Sequence, residues 1–409
     1  MKKSIFFAAF MLGAFVLTSC DQGGTPATDT TKLWPAQAND DSNWGYFNGK
    51  DAKLALSAKY KSASFFSCGY ALVSDDNGEY MFIGTDGKKV SQKMQIDGDN
   101  KIAPDDFYFD VCLVTIDGFK AFIDKDFKKL TKAEFTDLEH MSKDGLSPCK
   151  VNGDDLMGYC DKDGNIKIKA NYDRAYTFMD GVAVVRDKNE DGSYSYYTID
   201  TKGQVLMDAI TFKDSYKTLT NLGEQRVYYT TDQGKVVMLD KNGIEIDLAA
   251  TYSDIRPFTD GLAMVTNKNG DKIGYINPKG QEIIEVGYAA GDDFYEGLAW
   301  VKTSGNNGKW QVIDNKGGDG YLQLSSKQDR GYNAGGIPSR FHNGLTYYNN
   351  GTKVFIADKK GDVKYDWKIA GGGMAPEHRA PAKMENPMRG TEYGPIFESY
   401  LKNKALMAE

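Results

Sequence analysis

The stretch from Ile255 to Ile284 reads IRPFTDGLAMVTNKNGDKIGYINPKGQEII, and the rest of the chain repeats its pattern. An aromatic residue, Phe258, precedes Gly261 by three positions, and a short apolar run follows. A polar turn leads to Ile273–Ile276, and a second turn, Asn277–Gly280, leads to two further isoleucines. Short apolar runs separated by Gly- and Asn-rich turns predict three short β-strands joined by tight turns.

The second turn recurs along the chain at a nearly constant spacing. Its opening residue, usually the Asp of an Asp-x-x-Gly sequence, occurs nine times at intervals of 36 to 44 residues, at Asn48, Gly84, Asp124, Asp161, Asp200, Asp240, Asn277, Asp314 and Asp358. Asp accepts hydrogen bonds from the backbone of its own turn, and Gly adopts positive φ, so the sequence is typical of a hairpin. A period of this length predicts tandem structural repeats.

Two other elements recur with the turn. Phe-x-x-Gly occurs at Phe178, Phe258, Phe294 and Phe341, with a weaker copy at Phe66. The element before the turn occurs as Trp44-Gly-Tyr-Phe47, Met157-Gly-Tyr-Cys160, Ile273-Gly-Tyr-Ile276 and Trp310-Gln-Val-Ile313. At these residues the chain resembles the WG-repeat (KWG-repeat) family of bacterial proteins over about residues 44–366. The resemblance implies tandem β-repeats in an exported or surface protein, and it implies no reaction.

The apolar pattern of one hairpin indicates how the repeats pack. If Ala263–Ile276 pairs about the turn at Lys268–Asp271, then Val265 lies opposite Ile276, and both faces of the hairpin are apolar. A sheet that is apolar on both faces is buried on both, so we expect small sheets stacked on their neighbours. The predicted class is therefore all-β, a tandem array of about nine small antiparallel β-meanders. A propeller-like ring and an open superhelix both fit, and a β-solenoid is the alternative.

The N-terminus carries a targeting signal. Lys2 and Lys3 precede an almost wholly apolar run, Ile5–Leu17, which is too short to span a bilayer, so residues 1–19 are predicted to be a cleaved signal peptide. Leu17-Thr18-Ser19-Cys20 resembles the lipobox of bacterial lipoproteins, which implies a lipid on Cys20 and cleavage before it. The sequence thus predicts a lipid-anchored protein of the bacterial cell envelope, exported to the periplasmic face or the cell surface.

The remaining domain boundaries follow from composition. Residues 20–43 are rich in Thr, Asp, Gly and Ala and are predicted to be a flexible tether. Residues 44–368 form the repeat domain. Residues 369–409 begin as a Gly- and Pro-rich linker, and Gly394-Pro395 would open a short helix that ends near Met407.

Two cysteines are spaced for a cross-strand bridge. Cys149 and Cys160 occupy the repeat positions of Val265 and Ile276, so the same register places them opposite each other. Export permits disulfides, and a Cys149–Cys160 bridge is one prediction. The alternative is two small apolar thiols in a core.

The sequence offers little chemistry. It has 3 histidines, and none lies near a nucleophile motif, so no catalytic residues and no cofactor are predicted. Asp187, Asn189 and Asp191 match the opening of a calcium loop, but the twelfth position is Thr198 and the stretch coincides with a hairpin turn. We therefore predict a turn there, with calcium as the weaker alternative and no other metal site.

Charge and repetition indicate the class of partner. Loss of residues 1–19 removes two lysines and leaves 48 basic and 57 acidic residues, a net charge of −9, which argues against nucleic acid. Besides the membrane, held through Cys20, we expect a protein partner bound by a non-enzymatic scaffold. The alternative is a glycan-binding or glycan-hydrolysing surface protein that uses carboxylates on its repeat loops.

Overall fold

The computed structural model describes residues 33–38, 43–49, 53–90, 106–214, 216–304, 308–323, 339–349 and 352–368. These residues form 31 β-strands and no helix, which confirms the all-β class. The predicted C-terminal helix and the signal peptide lie outside the described residues.

The strands fall into nine consecutive sets, which we call blades 1 to 9. Blades 1 to 3 are β1 (Trp34–Gln37), β2 (Trp44–Phe47) and β3 (Leu54–Tyr60); β4 (Ser62–Ala63), β5 (Tyr70–Ser74) and β6 (Tyr80–Gly84); and β7 (Phe107–Tyr108), β8 (Val111–Ile116) and β9 (Phe119–Ile123). Blades 4 to 6 are β10 (Phe135–Leu138), β11 (Ser147–Val151), β12 (Met157–Cys160) and β13 (Ile166–Tyr172); β14 (Arg174–Ala175), β15 (Val182–Lys188), β16 (Tyr194–Asp200) and β17 (Ile210–Phe212); and β18 (Thr220–Gly223), β19 (Arg226–Thr230) and β20 (Val236–Asp240). Blades 7 to 9 are β21 (Tyr252–Ile255), β22 (Ala263–Asn267), β23 (Ile273–Ile276) and β24 (Glu282–Tyr288); β25 (Ala290–Gly291), β26 (Leu298–Lys302), β27 (Trp310–Asp314) and β28 (Asp319–Gln323); and β29 (Leu345–Asn349), β30 (Lys353–Asp358) and β31 (Val363–Lys368).

Each blade is an antiparallel meander in which neighbours in sequence are neighbours in the sheet. Blades 4, 5, 7 and 8 have four strands, which we call strands a to d, and the other blades have three of these. Blades 3 and 4 share a seven-stranded sheet because β10 pairs with both β9 and β11. Pairing within blades, rather than between successive coils, excludes the β-solenoid that we considered as an alternative.

The blades close into a ring. Nine apolar cores are found in the described residues, and each lies between two successive blades. One of them joins blade 9 to blade 1, with Trp34 and Phe47 packed on Tyr347, Ile356 and Trp367. Since every blade has a neighbour on both sides, the array is a closed propeller-like ring rather than an open superhelix.

Side-chain hydrogen bonds complete the junction between blades 9 and 1. The Tyr365 hydroxyl donates to the Gln37 carbonyl over 2.9 Å, and Trp367 Nε1 donates to Gln37 Oε1 over 3.1 Å. The Tyr347 hydroxyl donates to the Pro35 carbonyl. All of these acceptors belong to β1, which we had assigned to the flexible tether of residues 20–43. That boundary was wrong, because Trp34 and Ala36 in this short polar-flanked segment are fully buried and pair with β2.

Packing explains why a Gly-Tyr pair recurs in strand c. A Cβ added to Gly274 would lie 2.7 Å from the Ile284 carbonyl oxygen, because strand d bulges over this position. The next residue, Tyr275, donates its hydroxyl to the Asp292 carbonyl of the following blade over 2.7 Å. Tyr46 and Tyr159 make the same bond to the carbonyls of Ser64 and Tyr176. The pair therefore holds strand d on one side and the next blade on the other.

The Asp-x-x-Gly turns have the predicted geometry. Asp200 Oδ1 accepts from the backbone nitrogens of Lys202 and Gln204 over 2.8 and 2.9 Å. Equivalent bonds are made by Asp124, Asp161, Asp240, Asn277, Asp314 and Asp358. Gly203 has φ of 81°, and a Cβ there would lie 3.0 Å from Ile168 of the preceding blade. The glycine is thus required both for the turn and for contact between blades.

The hairpin register differs from our prediction by two residues. Val265 pairs with Gly274, and Ile276 pairs with Ala263. A shift of two keeps every side chain on its predicted face, because strand side chains alternate. This is the pairing that the predicted turn at Lys268–Asp271 requires, since Asn267 and Lys272 flank the turn and the Asn267 nitrogen donates to the Lys272 carbonyl over 2.9 Å. The turn was placed correctly, and the predicted pairing of Val265 with Ile276 was wrong.

Candidate functional site

The ring has two chemically different sides. Val182, which starts a strand b, pairs with Asp200, which ends a strand c, so the a–b and c–d turns lie at the same end of a blade. These ends meet around the ring, since the Gly297 and Gly344 nitrogens donate to the Asp260 and Glu296 carboxylates of the preceding blades over 2.8 Å. We call this side the turn face. The opposite side, with the b–c turns and d–a connections, is the loop face.

Of the predicted site residues, Cys20 lies outside the described residues. Cys149 and Cys160 lie in the core between blades 3 and 4 as free, buried thiols. Cys149 pairs with Gly158 and Cys160 with Ser147, so the two cysteines are diagonal rather than directly opposite as predicted. A hydrogen bond with Cys149, together with burial, raises the pKa of the Cys160 thiol. The arrangement places two free thiols side by side within an apolar core.

The calcium candidates are engaged in their own hairpin. Asp191 Oδ1 accepts from the backbone nitrogen and the hydroxyl of Ser193, and Asn189 Nδ2 donates to the same hydroxyl. Asp187 accepts from the Tyr197 hydroxyl over 2.9 Å. Asn189 and Asp191 thus share Ser193 as a partner, and Asp187 is bonded to Tyr197. In the described part of the chain, no group of three His, Cys, Asp or Glu side chains is arranged to hold a metal ion.

A buried cluster of four charges joins blades 7, 8 and 9. Asp292 and Asp293 follow β25, and Arg340 Nη2 lies 2.6 Å from an oxygen of each. Arg256 Nη2 lies 2.7 Å from Asp293. Although burial opposes ionisation, the Arg340 and Arg256 guanidinium groups lower the pKa of Asp292. These two carboxylates are buried and paired with cations. A sugar therefore cannot bind between them, as it would between the two carboxylates of a glycoside hydrolase.

A second charged group joins blades 4 and 5. Arg174 lies 3.6 Å from Asp137 and 3.4 Å from Glu139, and Thr177 donates to Glu139 over 3.2 Å. Both charged groups occupy residues just before an a–b turn, on strand a or next to it. We did not predict them, because only the contact between blades shows that charges from different repeats meet. The ion pairs of these two groups attach one blade to the next.

The described histidines are also in the packing. His342 lies beside Trp34, Phe65 and Tyr295, with ring centroids 5.0 to 6.4 Å away. Burial lowers the pKa of His342 to about 4, so the ring is neutral at physiological pH. His140 packs edge-on against Tyr108. The third histidine, His378, lies outside the described residues.

The loop face carries an acidic arc over blades 2 to 5. The four b–c turns at 75–79, 117–118, 152–156 and 189–193 hold eight acidic residues and no basic residue. Two exposed apolar side chains accompany them, namely Leu156 within the arc and Tyr216 in the connection that follows blade 5. Exposed apolar residues among charges are the composition of a protein-binding surface. This arc is the candidate functional site that the geometry supports.

Comparison with known proteins identifies the repeat. The model of the family described as WG containing repeat matches residues 44–78, 157–190 and 273–310. The three segments contain the three Gly-Tyr pairs described above. The chain is a WG-repeat protein. No curated protein matches its sequence.

Several solved structures resemble this WG-repeat protein distantly. A eukaryotic initiation factor matches at 9% identity over 71% of this chain and 87% of its own, with a TM-score of 0.44. BamB from Moraxella catarrhalis matches at 10% identity over 64% and 85%, with a TM-score of 0.34. The C-terminal WD40 domain of Sif2 matches at 8% identity over 64% and 83%, with a TM-score of 0.35. All three scores are below 0.5, so the likenesses support no conclusion about function.

No helix in the described part of this WG-repeat protein is long and apolar enough to cross a membrane.

Proposed function

We propose that this WG-repeat protein is an exported, lipid-anchored scaffold of the bacterial cell envelope that binds a protein partner through its loop face. The acidic arc of blades 2 to 5 carries the proposal. The eight acidic residues, of which Asp76 is paired with Lys61 over 2.9 Å, attract a basic surface, and Leu156 adds apolar area that a partner can bury.

The anchor is supported by the sequence of the N-terminus. Leu17-Thr18-Ser19-Cys20 has the lipobox pattern after a short apolar run. The construction of the ring also fits a scaffold, since its charged clusters are used to join blades rather than to present paired carboxylates. A glycan-binding or glycan-hydrolysing protein remains the alternative, and no described feature favours it.

The anchor is tested by Cys20→Ala. We expect the variant to move from the membrane fraction to the soluble fraction of cells, with the unaltered protein as the control. Retention of the variant in the membrane fraction would contradict lipid attachment at Cys20.

The partner is tested by cross-linking intact cells and identifying captured proteins by mass spectrometry. The variant Asp155→Lys/Glu190→Lys reverses two charges of the arc, and Asp126→Lys/Asp163→Lys makes the same change of charge on the turn face. We expect one abundant protein that the first variant loses at least fivefold and the second retains. Equal capture by both variants, or capture of no protein at all, would contradict binding through the loop face and favour the glycan alternative.

A further inference from the structure

Exposed aliphatic side chains recur at one place in the repeat. The described residues include eight large hydrophobic side chains that are at least 40% exposed. Leu156 and Tyr216 are on the loop face. The other six all come one to three residues after the glycine of a c–d turn, at Val90, Ile166, Val205, Ile244, Ile283 and Val363. The six residues lie in different blades but within three residues of the same turn, so they form a pattern rather than single exposed residues.

The ring places these six side chains on one rim. The c–d turns pack against residues that follow the c–d turn of the preceding blade, as Gly203 does on Ile168, Gly243 on Met207 and Gly317 on Ile284. Successive turns are therefore held at the same level around the ring. The aliphatic residues that follow them mark the edge of the turn face.

Exposed lysines accompany the aliphatic residues. The c–d turns contain Lys88, Lys162, Lys202, Lys279, Lys316 and Lys360, and all six side chains are exposed. Asp residues in five of these six turns offset this charge. Lys88 and Lys162 are ion-paired with Asp86 and Asp163 over 3.0 and 2.9 Å. Aliphatic groups with lysines along one rim resemble the composition of surfaces that lie in a lipid headgroup layer.

The N-terminal segment reaches the ring on this same side. Trp34, the first residue of β1, pairs with Phe47, which directly precedes the turn at Asn48. The chain therefore enters at the turn face. The thirteen steps from Cys20 to Leu33 span at most about 45 Å, so a lipid on Cys20 would keep the ring within that distance of the bilayer, with the chain entering from the turn face. The other end of the described chain, Lys368, is at the loop face, since β31 runs away from the turn at Asp358.

We propose that the turn face is a membrane-docking surface that lies against the phospholipid bilayer holding the anchor. The six aliphatic side chains enter the headgroup layer, and the turn lysines contact lipid phosphates. The acidic arc is then directed away from the bilayer, where a partner can reach it. This inference rests on the lipid anchor of the proposed function and adds the orientation of the ring.

Orientation can be measured without lipidation. The mature full-length chain, with Cys20 replaced by a hexahistidine tag, is held on phosphatidylethanolamine–phosphatidylglycerol vesicles that contain a nickel-chelating lipid. A fluorescent amino acid replaces Gln204 on the turn face or Gln233 on the loop face, and both positions are exposed. We expect a headgroup-linked nitroxide to quench the label at 204 at least threefold more than the label at 233. Equal quenching, or stronger quenching at 233, overturns the proposal.

Affinity separates docking from simple tethering. The same chain without the tag is mixed with vesicles, and Val205→Ser/Ile244→Ser is compared with Leu156→Ser/Tyr216→Ser. We expect vesicle partitioning to fall at least fivefold in the first variant and to stay within twofold in the second. Equal losses in both variants, or no partitioning of the parent chain, contradict docking through the turn face. Because neither vesicle experiment uses the lipid on Cys20, failure here is distinguishable from failure of Cys20→Ala in cells.

Discussion

At the residue scale, the glycine of the Gly-Tyr pair is required because a neighbouring backbone occupies the place of a side chain. The Ile284 carbonyl and the Val286 Cα lie 2.7 and 2.8 Å from where a Cβ on Gly274 would be. Neither is the end of a flexible side chain. Strand d would have to move, and with it the bulge that defines its pairing.

We therefore expect Gly274→Ala to destabilise the protein by about 2 to 3 kcal/mol, as overpacking in a well-packed region does. The control is Gly287→Ala in the same strand d, where the nearest atom is 4.0 Å from the added Cβ. Denaturant unfolding should show a lower midpoint for the first variant and little change for the second. Equal midpoints would mean that strand d accommodates a side chain at position 274.

His342 gives the stability a specific acid dependence. Burial lowers its pKa to about 4 from an ordinary value of 6.5. As pH falls below 6.5, His342 binds a proton in the unfolded chain, whereas in the folded chain it binds one only near pH 4. The contribution is therefore complete above pH 6.5 and is lost between pH 6.5 and 4, by about 3 kcal/mol at most.

The measurement is the free energy of unfolding at pH 7.5 and 4.5 for the natural chain and for His342→Phe. Because carboxylates titrate in both proteins, only the difference between them reports on His342. We expect the natural chain to lose more stability on acidification than the variant. Identical losses would show that His342 is accessible to protons in the folded ring.

At the element scale, what holds one blade to the next is partly apolar and partly ionic. The ionic part is concentrated where Arg340 of blade 9 meets Asp292 and Asp293 of blade 8 over 2.6 Å. Removing Arg340 leaves the two buried carboxylates with Arg256 as the remaining cation of the cluster. Breaking a buried ion pair in this way typically costs about 3 to 5 kcal/mol.

Arg340→Met should therefore destabilise the protein by about 3 to 5 kcal/mol and loosen blades 8 and 9 first. The control is Lys162→Met, which breaks an exposed ion pair with Asp163 on a c–d turn. Hydrogen exchange followed by mass spectrometry should show faster exchange in β26 and β29 for the first variant only. Unchanged exchange there would mean that the apolar cores alone join these blades.

The elements also show which features a single sequence can reveal. The Asp-x-x-Gly turns were predictable because Asp200 and its hydrogen-bond partners lie within five residues of each other. All the interactions that form the turn are therefore local in sequence. The recurrence of the Gly-Tyr pair was visible in the sequence, but its structural role was not, since the Tyr275 hydroxyl donates to the Asp292 carbonyl in the next blade. The charges before the a–b turns were missed for the same reason. β1 was missed because a four-residue segment of Trp, Pro, Ala and Gln resembles the polar tether around it.

The predicted hairpin register was wrong although the turn itself was placed correctly. A turn at Lys268–Asp271 brings Asn267 opposite Lys272, and counting back from that pair puts Val265 opposite Gly274, as observed. The resulting shift of two residues preserved the assignment of faces, and so the prediction of stacked sheets was correct. It also moved Cys149 and Cys160 from directly opposite to diagonal positions.

At the scale of the whole molecule, the sequence did not determine whether the repeats close into a ring. A repeat period predicts neighbours, but it does not determine whether the small rotation between blades sums to a full turn. Closure depends on the core between blades 9 and 1, which is built from residues more than 300 positions apart, such as Trp34 and Trp367. It makes the turn face and the loop face continuous surfaces, on which both the docking and the partner proposals depend.

The most direct test of the account is a distance between the ends of the repeat array. Spin labels on bioorthogonal amino acids at Lys360 and Asn48 report the junction of blades 9 and 1. Labels at Lys279 and Asp314, the equivalent turn positions of blades 7 and 8, give the reference. A closed ring predicts that double electron–electron resonance finds one narrow distance at the junction, close to the reference distance. A broad or much longer junction distance beside a narrow reference would show an open array and contradict the closed ring.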